Sequence, residues 1–120
     1  MRIPGPDHPI SITATQGRVI VKIDGQVIAD TRRALTLAEA NYPPVQYIPR
    51  SDARMDLLAH SAHVSHCPYK GDATYYALRA GGADAPNAAW SYEQPFPAMA
   101  EIAGHLAFYP NQVDAIEIVP

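Results

Sequence analysis

The chain is 120 residues long, enough for one domain and too short for two. Nine Lys and Arg against 12 Asp and Glu give a net charge of −3, which excludes the basic footprint of a duplex nucleic-acid binder. With no apolar run long enough to cross a bilayer and a single cysteine, Cys67, unable to form an internal disulfide, a soluble cytoplasmic domain is expected.

Residues 1–9 carry Pro4, Pro6 and Pro9 without an apolar stretch and read as a proline-rich N-terminal arm, not a signal peptide. Residues 10–120 read as a single β domain. Ile and Val number 17 against six Leu, a β-branched bias that favours strands. Ile10, Ile12 and Ala14 alternate with Ser11, Thr13 and Thr15 as a first strand. Val19, Val21 and Ile23 form a second, and Asp24-Gly25 supplies the type I′ turn into Val27–Asp30. This hairpin, about residues 18–31, is the strongest local signal.

Leu35 and Leu37 mark a third strand and Val45–Ile48 another. Ser51 is placed to cap a short helix over Asp52–Ala59, with Met55 and Leu58 on its buried side. Strands are expected over His60–His66, Ala73–Ala80, Ala88–Glu93, His105–Tyr109 and Ala115–Val119. A second short helix fits Pro97–Ala103, opened by Pro97 and closed by Gly104. The prolines fall between these elements, as a β domain requires. Tyr42-Pro43 and Tyr109-Pro110 place an aromatic before proline in turns, and at least one of these bonds is expected to be cis. The whole predicts a mainly β, antiparallel fold, a small barrel or sandwich of about eight short strands with one or two short helices.

Several of these stretches match one family. Asp24-Gly25 with Val27–Thr31 and Tyr47-Ile48-Pro49 are followed by Cys67-Pro68-Tyr69-Lys70-Gly71 with Ala73, Tyr75 and Tyr76. Ala89-Trp90-Ser91-Tyr92-Glu93, Ile102-Ala103-Gly104 and Ala107-Phe108-Tyr109 complete the set. Over residues 17–118 the chain resembles the bacterial domain-of-unknown-function family 427. The resemblance implies a compact, mostly β domain and no particular activity. A nucleotidyltransferase-like label sometimes attached to the family implies paired carboxylates around Mg²⁺, but no two of the 12 acidic residues lie at i, i+2 and no phosphate-cradling glycine loop is present.

The densest polar cluster is His60, His63, His66, Cys67 and Lys70. On a strand, His60, Ala62, Val64 and His66 share one face, and Ser61, His63, Ser65 and Cys67 the other. Two nearby ligands, His63 and Cys67, even with His105 from elsewhere, fall short of a four-ligand zinc site, so no metal or cofactor is expected. A cysteine beside proline is more often packed than reactive. Cys67–Gly71 reads as a specified turn that holds Lys70 in one place. Trp90 and Tyr92 share a strand face opposite Ser91 and Glu93, while Tyr75 and Tyr76 point apart. Aromatic walls with a few placed polar groups make a small-molecule pocket. The expected ligand-binding set is therefore Lys70, Trp90, Tyr92, Tyr75, Glu93 and His66, with Lys70 anchoring a small anionic group. The alternative is a non-catalytic interaction module that dimerises through an edge strand. Nucleotidyl transfer stands third.

Overall fold

A computed structural model describes residues 1–80 and 83–120. Ten strands in three antiparallel sheets fill it, without a closed barrel, so the sandwich-like form of the expected fold is the one adopted. β2 (Arg18–Ile23) and β3 (Gln26–Thr31) make the expected hairpin, with Asp24 and Gly25 both at positive φ, 48° and 74°, as a type I′ turn demands. β10 (Ala115–Val119) pairs on the other edge of β2. A second sheet takes the order β1-β4-β5, from Ile10–Ala14, Leu35–Glu39 and Val45–Tyr47. The third takes the order β6-β7-β8-β9, from Leu58–Cys67, Gly71–Ala80, Ala83–Ser91 and Ala107–Phe108. Single bridges, Ile48 to Leu106 and Ala29 to Ala53, tie the sheets together.

Alternation along β7 and β8 sets the layers. Tyr76, Leu78 and Ala80 face one way and pack with Val19, Val21, Ile23 and Ile28 of the hairpin. Ala73, Tyr75 and Tyr92 face the other way and pack with Leu37, Tyr47, Met99 and Ile102. The β6–β9 sheet is thus a middle layer with a core on each face. Fully buried side chains such as Leu78, Ile28 and Ile102 each stabilise the fold by roughly 1.5–3 kcal/mol through removal from water.

Four local expectations are corrected. The helix over Asp52–Ala59 is replaced by two 3₁₀ turns, Arg50–Asp52 and Met55–Leu57, and β6 begins at Leu58. Tertiary partners take the groups a helix would use. Ser51 Oγ accepts from Arg33 at 2.7 Å, Asp52 accepts from Thr31 Oγ1 at 2.7 Å, and Ala53 bridges to Ala29. The strand at His105–Tyr109 shrinks to Ala107–Phe108 because Leu106 is used by the bridge to Ile48. Pro86 lies inside β8, at a register shift where Asn87 takes φ 54°, which is where a sheet tolerates proline. Among the described residues every peptide bond is trans, so neither Tyr42-Pro43 nor Tyr109-Pro110 is cis, consistent with the residual trans preference of about 0.5–1 kcal/mol before proline. The second helix is also 3₁₀, over Pro97–Ile102.

A second register shift, between His60 and Val64 of β6, lies beside the one in β8, and Ser61 Oγ donates to Asn87 Oδ1 at 2.6 Å between them. The proline-rich N-terminal segment is not loose. Gly5 and His8 bond to each other, Arg2 N–H donates to the Pro68 carbonyl at 2.7 Å, and the His8 ring stacks on Tyr69 at 4.2 Å.

Candidate functional site

The β6–β7 connection carries the central polar group. Pro68 opens the turn and Gly71, at φ 112°, leaves it through backbone that side-chain-bearing residues rarely adopt. The Lys70 carbonyl accepts from Phe96 N–H at 2.9 Å, which fixes the residue from the strand-to-3₁₀ side as well. Lys70 is only 7% exposed. Its Nζ donates to Glu39 Oε1 at 2.5 Å and lies 3.8 Å from Cys67 Sγ. The second Glu39 oxygen accepts from His8 Nε2 at 2.8 Å. Three segments far apart in sequence therefore meet at one carboxylate.

Burial pushes the Glu39 carboxyl up, but hydrogen bonds from Lys70 and His8 and their charges outweigh it and hold it below the usual range. The pair is ionic, with a buried cation balanced by a partly buried anion. Glu39 sits at the end of β4 with Leu35 and Leu37 on the same strand face. An acidic residue in phase with two leucines is the sequence signal that would have found it. Nothing local marks His8, which arrives from the N-terminal segment.

Lys70 and Glu39 line a cavity of about 410 Å³. Its walls include Tyr47, Tyr75, Trp90, Tyr92 and Tyr109. Four of the six expected site residues, Lys70, Tyr75, Trp90 and Tyr92, thus converge on one concavity, and Trp90 is half-buried beside open space. The rings are held against one another. Trp90 and Tyr109 lie 4.4 Å apart by centroid, and Trp90 meets Tyr47 edge-on at 6.4 Å. Trp90 Nε1 donates to the Tyr47 hydroxyl at 3.3 Å, and the Tyr75 hydroxyl bonds Ser65 Oγ at 2.9 Å and the Tyr109 hydroxyl at 3.3 Å. The Tyr92 residue is only 7% exposed, and its ring lines the cavity. Its ring lies under Lys70 Nζ, 6.0 Å from the centroid. Burial raises the Tyr47 and Tyr92 phenols well above their usual value, and burial with the Tyr75 hydrogen bond raises Tyr109 to about 12. All three remain hydrogen-bond donors at neutral pH.

Glu93 and His66 are placed elsewhere. They line a separate cleft of about 290 Å³ with Asp72, Thr74 and Phe96. Strand alternation explains the split, because Glu93 follows Tyr92 and turns to the opposite face. Burial pushes the Glu93 carboxyl up, but hydrogen bonds from Tyr76 at 2.7 Å and Thr74 at 3.0 Å, with Arg50 at 2.8 Å, hold it below its usual value. His66 meets Asp72 at 2.7 Å on the exposed side of β6, with Phe96 rather than aliphatic residues as its ring neighbour. Ser65 and Cys67 lie across from Ala73 and Gly71, and His66 from Asp72, so the two-faced reading of β6 holds past the register shift.

Among the described residues no three His, Cys, Asp or Glu side chains converge as metal ligands, and no helix is long and apolar enough to cross a membrane. A search of the curated proteins finds no match. The family profile described as "Domain of unknown function (DUF427)", with the short name NTP_transf_9, matches residues 11–118, nearly the full chain, and the protein belongs to that family.

Proposed function

We propose that this protein binds a small, flat organic molecule in the cavity lined by Lys70 and Glu39. The observation that carries the reading is the convergence, from four separate segments, of a buried ion pair and five aromatic rings on one open space of about 410 Å³. Aromatic walls favour a planar apolar body, and few but fixed polar groups orient it. Glu39 already meets the charge of Lys70, so a bare anion would face a carboxylate as well as an ammonium. An uncharged polar group suits that end better, accepting from Nζ or from the Tyr92 hydroxyl. This revises the anionic ligand expected from Lys70 alone.

Protein-observed NMR titration with benzyl alcohol and with indole tests the reading. Saturable shifts are expected at Lys70, Tyr75 and Tyr92 as well as at the Trp90 indole. Shifts centred instead on Val21 and Ile116, which line a neighbouring apolar groove, or no saturable shifts at all, would overturn it.

A further inference from the structure

The polar end of the cavity is more than a recognition group. A nucleophile is recognised by a base within hydrogen-bond reach and by a third group that orients the base. Lys70 Nζ, Glu39 and His8 stand in that relation, at 2.5 Å and 2.8 Å across the two oxygens of one carboxylate. A lysine that served only to tie β4 to the β6–β7 turn would not need to face a cavity. This one does, and Tyr92 lines the same cavity with its ring 6.0 Å from Lys70 Nζ.

We propose that Lys70 forms a Schiff base with carbonyl compounds, aldehydes or ketones carried on a flat apolar body, with Glu39 as its proton acceptor and donor. The inference rests on the pocket reading above and names the ligand class for it. Lys70 ammonium gives a proton to the Glu39 carboxylate. The freed nitrogen pair forms the bond to the carbonyl carbon as the C=O π pair moves to oxygen, which the Tyr92 hydroxyl hydrogen-bonds. The Glu39 proton passes to that oxygen, giving a carbinolamine, and Glu39 takes a second proton from nitrogen. Glu39 then protonates the hydroxyl, the C–O bond breaks as nitrogen forms C=N, and water leaves. The products are an iminium on Lys70, one water and the original carboxylate, so no oxidant, reductant or metal enters.

One feature favours this chemistry at this lysine: the iminium carries the same charge as the ammonium it replaces, so Glu39 faces a cation both before and after the reaction.

The chain contains only two lysines, which makes the test internal. Lys22 is also ion-paired, to Glu117 at 3.1 Å, but stands on the surface. The full chain is treated with limiting benzaldehyde and cyanoborohydride, and benzylation of Lys70, Lys22 and the N-terminal amine is followed by peptide mass spectrometry. Lys70 is expected to label roughly tenfold faster than Lys22 or more, from proximity and the adjacent base. Glu39→Gln, with folding checked by circular dichroism, is expected to slow Lys70 labelling about tenfold and leave Lys22 unchanged. Lys70→Arg, which keeps a cation beside Glu39, is expected to lose the fast label. Labelling of Lys70 no faster than Lys22, or equal labelling in the Glu39 variant, would overturn the proposal. Benzyl alcohol, which has the ring without the carbonyl, separates the two readings. If it binds at Tyr92 while benzaldehyde leaves Lys70 unlabelled, the pocket stands and the Schiff base fails. If it does not bind there and Lys70 stays unlabelled, both fail.

Discussion

Glu39 is the residue on which the site turns, and its energetics follow from its two partners. A buried ion pair is weak evidence for net stability, but removing one member leaves the other uncompensated. Both side chains are largely buried, 9% and 16% exposed for Lys70 and Glu39. Glu39→Gln is therefore expected to cost about 2–4 kcal/mol in urea unfolding at neutral pH. The carboxyl sits below its usual value when folded, so the stability it contributes is complete above the unfolded value, near ~4.3, and is lost as pH falls through the folded value. Unfolding free energy should drop between about pH 5 and about pH 3, and Glu39→Gln should flatten that slope; a slope unchanged in the variant would refute the assignment. Glu93, Asp52 and Asp56, held low in the same sense, contribute to the slope that remains. Sequence made Lys70 legible, because a turn built from Pro68 and Gly71 announces a fixed position. It left Glu39 half legible through its phase with Leu35 and Leu37. It hid His8, since nothing within a few residues of a histidine states which carboxylate it will meet 31 positions away.

At the level of elements, the turns written in the sequence with special backbone residues are the ones that form as read. Asp24-Gly25 makes the hairpin, and Gly71 makes the exit from the Lys70 turn. A methyl group at position 71 would meet only ordinary contacts at 3.6 Å, so the cost of Gly71→Ala lies in the backbone angle. That cost is expected at roughly 1–3 kcal/mol, with Lys70 displaced from Glu39. Thermal unfolding and the benzaldehyde labelling rate would both register it, and a variant as stable as the parent would show that the turn is not strained. The helix expected at Asp52–Ala59 failed for the opposite reason. Its capping and first-turn side chains, Ser51 and Asp52, are committed to Arg33 and Thr31 of the hairpin region, and local propensity does not know of them. The bulge at Pro86 was hidden likewise. Proline read as a boundary is correct in most strands, but a register shift lets the strand continue past it.

For the whole molecule, the sequence showed strands without showing layers. That Tyr75 and Tyr76 face apart was legible, and so was the shared face of Trp90 and Tyr92. That one face of β7 and β8 closes on Leu37 and Tyr47 while the other closes on Val21 and Ile28 depends on pairings spread along the entire chain. The cavity is walled by four stretches far apart in sequence, around 37–47, 70–75, 90–92 and 109–110, which only the assembled layers bring together. Sequence offers Glu93 and His66 beside Lys70 as the polar groups of an aromatic-walled pocket, and only the layering separates them into a cleft of their own.

Trp90 lines the aromatic cavity and also the apolar groove of about 550 Å³ between β5 and β10. Pro44, Val45 and Pro110 line both hollows as well, so the two share one wall of which the indole is the largest part. The length of ligand that fits behind a head held at Lys70 therefore depends on a wall that the head never touches. Trp90→Ala is expected to admit 2-naphthaldehyde at Lys70 faster, relative to benzaldehyde, than the parent does, because the trimmed wall joins space from the neighbouring groove to the cavity. An unchanged ratio of the two labelling rates would show that this wall does not limit the ligand.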